Sequence, residues 1–184
     1  MCLRFLIVSF LILVTSNFAS AEKKTAKAIF AGGCFWCMEE PFDKLDGVLS
    51  TTSGFSKESF AKPTQIEVVE IMYDPEKVSY EQLLEVFWKN IDPTNPDGQF
   101  CDRGPQYRSA IFYMDDHQKA LAEESKRKIE TTLGKQIVTP ILEATPFVAA
   151  PEGHQDFYKK NALRYKQYKA QCGRDRRLKE IWKD

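Results

Sequence analysis

The stretch Ala31-Gly32-Gly33-Cys34-Phe35-Trp36-Cys37-Met38-Glu39-Glu40 carries the residue types and spacing best suited to chemistry. Two glycines let a backbone turn sharply out of a strand. Cys34 then falls at a helix N-terminus, where unpaired N–H groups and the helix dipole favour an anion. A thiol held there is expected to have a lowered pKa and to be nucleophilic near neutrality. Phe35 and Trp36 beside it offer an apolar wall for a small hydrophobic group. The spacing Cys34-x-x-Cys37 is also that of a dithiol redox pair and of half a zinc site. Zinc would need two more ligands from Cys101, Cys172, His117 or His154. The chain has no second Cys-x-x-Cys and no histidine pair at zinc-finger spacing, so no metal is expected.

The elements that must position these residues follow from periodicity and punctuation. Residues 28–31 form a short apolar run broken by Gly32-Gly33, a strand followed by a turn. A helix is expected from near Cys34 to about Lys44, with Phe35, Met38 and Phe42 at helical spacing and Pro41 shortening or kinking it. Residues 48–53 and 64–73 read as strands separated by a loop of Gly, Ser, Lys and Pro. The second is apolar on both faces, Ile66, Val68 and Met72 against Val69 and Ile71, and is expected to be covered on both sides. Ser79-Tyr80-Glu81-Gln82 fits a capping box ahead of the apolar stripe Leu83, Leu84, Val86 and Phe87.

Residues 91–106 hold Pro93, Pro96, Gly98, Gly104 and Pro105 and read as a long irregular loop. A strand at 107–113, a charged helix at 115–133 stopped by Gly134, and a strand at 137–144 complete the core. The tail reads as two short helical pieces around Cys172. The order β-α-β-β-α-β predicts an α+β ferredoxin-like split βαβ sandwich with irregular loops and a C-terminal tail. Active residues are expected on loops at one end of such a sheet.

Composition bounds the partners. The 184 residues are 43% apolar and 28% charged, as for one soluble domain. The 26 basic and 26 acidic residues cancel, which gives no electrostatic reason to expect nucleic acid or an anionic membrane surface. Residues 1–21 have the form of a secretory signal: Arg4, an apolar run from Phe5 to Val14, and Ala19-Ser20-Ala21 before Glu22. Cleavage is expected after Ala21, leaving residues 22–184 as one exported domain, periplasmic or secreted, free of the membrane and monomeric. It also removes Cys2. Cys34, Cys37, Cys101 and Cys172 remain, in a compartment where disulfides persist.

Gly33-Cys34-Phe35-Trp36 resembles the signature of the peptide methionine sulfoxide reductase A family. The resemblance continues through Glu67-Val68-Val69, Tyr73-Asp74-Pro75, Leu83-Leu84-Glu85-Val86-Phe87-Trp88 and Asp92-Pro93. It continues through Asp102-Arg103-Gly104-Pro105-Gln106-Tyr107-Arg108-Ser109-Ala110 and ends near His154-Gln155. These blocks lie in order over about residues 28–160.

The resemblance implies a thiol-dependent reduction of methionine S-sulfoxide, free or in oxidised proteins and peptides. Cys34 would attack the sulfoxide sulfur as a thiolate. Glu67 would protonate the oxygen, its pKa raised by an apolar strand. Tyr107 would hydrogen-bond that oxygen, Asp102 would orient the substrate, and Phe35 and Trp36 would hold the methyl group. His154 falls on a family position as a support. The products would be methionine and a Cys34 sulfenic acid. The acid would be discharged by another thiol, in the order Cys172, Cys37, Cys101, and the disulfide reduced by thioredoxin or another dithiol, with no bound cofactor. The sequence departs from the family at Gly54-Phe55-Ser56-Lys57. Phe55 occupies a substrate-binding position without the usual tyrosine hydroxyl, the segment that follows is short, and Thr64-Gln65-Ile66 precedes the acid in place of Gly-His-Ala. Two other readings stay open: a Cys-x-x-Cys dithiol–disulfide oxidoreductase, and a non-catalytic member that binds an apolar or oxidised peptide.

Overall fold

Strand β1 (Ala26–Gly32) lies at the centre of a six-stranded sheet and leads directly into the Cys34 turn. The computed structural model describes residues 24–59, 61–62 and 64–183. The expected signal segment at 1–21 lies outside the described residues. Among those residues no helix is long and apolar enough to cross a membrane.

From β1 the chain runs through α1 (Phe35–Asp43), β2 (Val48–Lys57), β3 (Gln65–Tyr73) and α2 (Tyr80–Lys89). A small hairpin follows, β4 (Gly98–Gln99) and β5 (Asp102–Arg103), then β6 (Ser109–Tyr113) and α3 (Asp116–Leu133). Strands β7 (Ile141–Glu143) and β8 (Val148–Ala149) precede three helices, α4 (Phe157–Lys160), α5 (Ala162–Cys172) and α6 (Arg174–Trp182). The strand order is β7-β6-β1-β3-β2-β8. Its four central strands pair antiparallel, with β3 inserted between β1 and β2. This is the split βαβ arrangement expected from the element order. Strand β7 adds parallel to β6, and β8 adds antiparallel to β2.

Both faces of the sheet are covered, as the pattern of β3 predicts. Val69 and Ile71 pack against α1 and α2 through Phe35, Met38, Phe42, Leu83, Leu84 and Phe87. Ile66 and Val68 face a smaller cluster with Ile29, Ala110 and Phe112, closed by Leu142, Ala144 and Phe147. Each fully buried Phe, Leu or Met contributes about 1.5–3 kcal/mol. The capping box at Ser79 forms, with Gln82 Oε1 accepting from the Ser79 N–H at 2.8 Å. Helix α3 starts on Asp115, whose carboxylate accepts from the Gln118 N–H at 2.7 Å, and ends on left-handed Gly134 (φ 60).

Three expectations need correction. Strand β2 continues beyond residue 53 to Lys57, because the buried Ser53 and Ser56 find distant partners. The Ser53 N–H donates to Gln155 Oε1 at 2.9 Å, and Ser56 Oγ lies 2.7 Å from Thr145 Oγ1. The irregular loop at 91–106 contains the β4–β5 hairpin, and residues 105–107 form a 3-10 turn before the β6 strand begins. Only three residues of 137–144 pair as a strand; Pro140 supplies an acceptor for Ile111 but no donor.

Candidate active site

The site assembles where β1 delivers the chain to α1. Gly33 has φ 82, and a Cβ there would lie 2.5 Å from Gln99 Cβ. At Gly32 a Cβ would lie 2.4 Å from Met38 Sδ, so the glycine pair is required by packing as well as by the turn. Cys34 is the N-cap residue of α1. The next backbone N–H, that of Phe35, donates to the Glu67 carboxyl Oε2 at 3.1 Å. An acid from β3 thus caps the helix that carries the thiol. Burial pushes Glu67 up to about 7, against the pull of that N–H.

Tyr107 and Asp102 complete one wall. Burial raises Tyr107, and the charges of Glu67, Asp102 and Cys34 around it add to the effect. Asp102 is raised by burial, opposed by a hydrogen bond from Tyr168 and by the Arg174 cation. Phe55 pairs with Glu67 across β2–β3, and its ring centroid lies 5.7 Å from that of Phe35. The structure therefore brings Cys34, Cys37, Glu67, Phe35, Trp36, Phe55, Asp102 and Tyr107 to one end of the sheet.

The C-terminal tail closes over them. Trp36 stacks on Phe157 with centroids 3.8 Å apart and planes 11° from parallel. His154 lies 5.7 Å from Trp36 and 5.5 Å from Phe35. Tyr168 meets Trp36 edge-on at 6.0 Å, donates to Asp102 Oδ2 at 2.5 Å, and hydrogen-bonds Cys34. Phe35 is only 3% exposed, and one face of the Trp36 indole is taken by Phe157. The wall expected to be open for a methyl group is covered in this state.

Polar anchors fix that cover to α1. Tyr165 donates to Glu40 and Tyr158 to Asp43, both at 2.7 Å. Glu39, 1% exposed, accepts from the Asp156 N–H at 3.3 Å. Sequence reasoning missed Phe157, Tyr168 and Glu39. The available signal was the run of aromatics at 157, 158, 165 and 168, which share one face of the tail against α1.

The four cysteines among the described residues form two pairs. Cys34 and Cys37 are free, buried and hydrogen-bonded to each other. Cys101 and Cys172 form a disulfide. The expected depression of Cys34 is reversed here: its hydrogen bond to Cys37 and its burial hold it well above the ordinary thiol range. Cys37 is instead lowered to about 7, first by the hydrogen bond from Cys34, then by the Arg174 and Lys169 cations against the cost of burial. The hydrogen bond between them therefore favours ionising Cys37 before Cys34. Arg174, 1% exposed, donates to Asn90 O at 2.5 Å, Met38 Sδ at 3.0 Å and Gly32 O at 3.3 Å. Among the described residues, Cys101, Asp102 and Cys172 are the one cluster with metal-ligand spacing, and the disulfide engages both of its sulfurs.

Comparison with known proteins decides the kinship. The pattern of the family described as peptide methionine sulfoxide reductase matches residues 26–184. The chain belongs to the peptide methionine sulfoxide reductase family. It is 47% identical over 173 residues to the peptide methionine sulfoxide reductase MsrA of Halalkalibacterium halodurans, covering 88% of this chain and 98% of that protein. Solved structures agree. Mxr1 from Saccharomyces cerevisiae in reduced form superposes with a TM-score of 0.69 at 27% identity, over 76% of this chain and 87% of Mxr1. Methionine sulfoxide reductase A of Corynebacterium diphtheriae gives 0.66 at 27% identity, over 78% of each chain. Mxr1 has also been solved in complex with Trx2, with a TM-score of 0.57 at 22% identity over 71% of this chain and 84% of that one.

Proposed function

We propose that this chain reduces methionine S-sulfoxide to methionine, with Cys34 as the nucleophile and Glu67 as the proton donor. The observation that carries this reading is the Glu67 carboxyl on the Phe35 N–H, one residue beyond Cys34. When substrate displaces the tail, the Cys34 proton passes to the Cys37 thiolate and the Cys34 thiolate attacks sulfur. Glu67, protonated up to about pH 7, gives its proton to the oxygen. Tyr107 and Asp102 hold that oxygen and the substrate, and the Phe35, Trp36 and Phe55 rings receive the methyl group. Methionine leaves, and Cys34 retains the oxygen as a sulfenic acid.

The resolving thiol in this scheme is Cys37. The sequence order put Cys172 first; proximity puts Cys37 first, because it is free and already touches Cys34, whereas Cys172 is engaged by Cys101. Cys37 attacks the Cys34 sulfur, releases water and leaves a Cys34–Cys37 disulfide. Cys172 then attacks that bond and Cys101 resolves the result, restoring both buried thiols and producing the Cys101–Cys172 disulfide. A thioredoxin-type dithiol reduces the tail disulfide, a step supported by the yeast neighbour solved with Trx2. No bound cofactor enters the cycle. We further propose that the protein is exported on residues 1–21, periplasmic or secreted, and acts as a single chain on oxidised proteins. Turnover of a methionine sulfoxide peptide with dithiothreitol tests the reading; Cys34→Ser is expected to abolish it, and a Cys34→Ser enzyme retaining more than a few per cent of the rate would overturn it.

A further inference from the structure

The tail disulfide sits beside a basic cleft that the reduction of methionine sulfoxide does not use. Cys101 is exposed at the tip of the β4–β5 hairpin, next to Phe100, whose left-handed backbone (φ 56) makes the two-residue turn. Beside it opens a cleft of about 490 Å³ lined by Phe100, Arg103, Cys172, Arg176, Arg177 and Asp92, among others. The carboxylate of Asp92 is already taken by Arg177 Nε at 2.9 Å. Among the described residues Arg103 and Arg176, both exposed, have no ion-pair partner. A fourth guanidinium, that of Arg174, lies 4.5 Å from the centre of the Phe100 ring. The Asp102 carboxylate, 3.8 Å from Cys101 Sγ, accepts from Tyr168, and the cleft side of the disulfide carries an excess of arginines in a chain whose total charge is zero.

We propose that this cleft is the docking surface for an acidic face surrounding the reactive thiol of the dithiol protein that reduces Cys101–Cys172. The proposal rests on the reading of that disulfide as the pair reset from outside. The cleft is open, so it receives a convex rim rather than enclosing a small molecule. Complementary charge steers such transient redox encounters and sets their rate more than their affinity.

The exchange balances within the two partners. The partner's thiolate attacks Cys101 Sγ, the Cys101–Cys172 bond breaks, and Cys172 leaves as a thiolate. The Cys101 N–H, which already donates to Cys172 Sγ at 3.1 Å, stabilises that thiolate, as do the neighbouring arginines. The partner's second thiol then attacks its own sulfur in the mixed disulfide and releases Cys101. Two electrons and two protons pass from the partner dithiol to Cys101 and Cys172.

The test follows reduction of Cys101–Cys172 in the full oxidised chain, without sulfoxide, by thiol labelling. The probes are a thioredoxin with a negatively charged active-site face, glutathione, and dithiothreitol as an uncharged dithiol. Reversal of both free arginines, Arg103→Glu with Arg176→Glu, is expected to slow thioredoxin by ~10-fold and dithiothreitol by less than about twofold. Raising salt from about 20 mM to about 500 mM is expected to slow the wild type and to leave the variant nearly unchanged. Equal loss with dithiothreitol, or no loss with thioredoxin, would overturn the proposal. An equal loss with glutathione would assign the cleft to small anionic thiols and overturn it as well. Methionine formation driven by dithiothreitol is measured in parallel, so that a chain inert to sulfoxide is distinguished from a chain that fails to dock its reductant.

Discussion

The Tyr168 hydroxyl donates to the Asp102 carboxylate at 2.5 Å and hydrogen-bonds the Cys34 thiol, so one tail residue occupies the place between the candidate nucleophile and the group expected to orient substrate. Tyr168 lies on α5, the helix that ends at Cys172. The redox state of the tail and access to Cys34 are thereby carried by the same element. A hydrogen bond to a charged acceptor contributes about 1.5–3 kcal/mol. Tyr168→Phe is expected to loosen the closed tail and raise the rate of Cys34 alkylation by ~10-fold or more. Iodoacetamide labelling read by mass spectrometry checks this, and an unchanged rate would mean that other contacts hold the tail.

Glu67 has to be protonated to serve the sulfoxide oxygen. Its burial places it at about 7, so the first-turnover rate is expected to fall as pH rises through that value. Ionisation of the Cys34–Cys37 pair rises over the same range, which gives a narrow maximum near neutrality. Glu67→Gln keeps the shape and the acceptor for the Phe35 N–H but loses the proton. It should lower the rate by ~10²–10⁴ and remove the alkaline decline, as read from a rapid-quench pH profile.

Burial also raises Glu39 to about 7. A carboxyl whose folded pKa lies above its unfolded value stabilises the fold fully below the unfolded pKa, and that contribution is lost as pH rises through the folded one. For Glu39 the window runs from about 4.5 to about 7. Glu39→Gln, which cannot ionise, should match the wild-type Tm at pH 4 and exceed it progressively toward pH 8. A constant Tm difference across that range would show that Glu39 does not titrate in the window.

Loss of the neighbouring thiol should separate chemistry from reset. Cys37→Ser is expected to give its first methionine and then slow by ~10-fold or more with thioredoxin, because Cys34 sulfenic acid no longer has a touching partner. Peptide mapping after one exposure to substrate should find a Cys34–Cys37 linkage in the wild type. A Cys34–Cys172 linkage formed directly would return the resolving role to the tail.

How far the sequence reveals this arrangement differs by residue. Glu67 was legible through the family resemblance, because on strand pattern alone an acid there fits a solvated strand end; the glycines before Cys34 were legible because a strand-to-helix turn demands them. The polar end of β2 was not. Ser53 and Ser56 look like loop residues until Gln155 and Thr145, 102 and 89 residues further along the chain, bond the Ser53 N–H and the Ser56 hydroxyl. Cover by Phe157 and Tyr168 showed in the sequence only as aromatics in the tail, since where short, polar-surfaced helices dock does not follow from their own periodicity. Cysteine connectivity cannot be read from spacing. The direction of the Cys34 shift was misjudged for a related reason: the helix N-terminus favours a thiolate, but a touching second thiol and a closed tail decide which sulfur keeps the proton.

Counting methionine released by fully reduced protein, with racemic sulfoxide peptide and no external reductant, tests the central claim most directly. Cys34 can react once, pass its oxidation through Cys37 to the tail pair, and react once more. The account predicts a burst of about two methionines per wild-type chain, all from the S epimer, about one when Cys101 and Cys172 are both serine, and none from Cys34→Ser. Release of methionine by the Cys34→Ser chain, or equal consumption of both epimers, would contradict it.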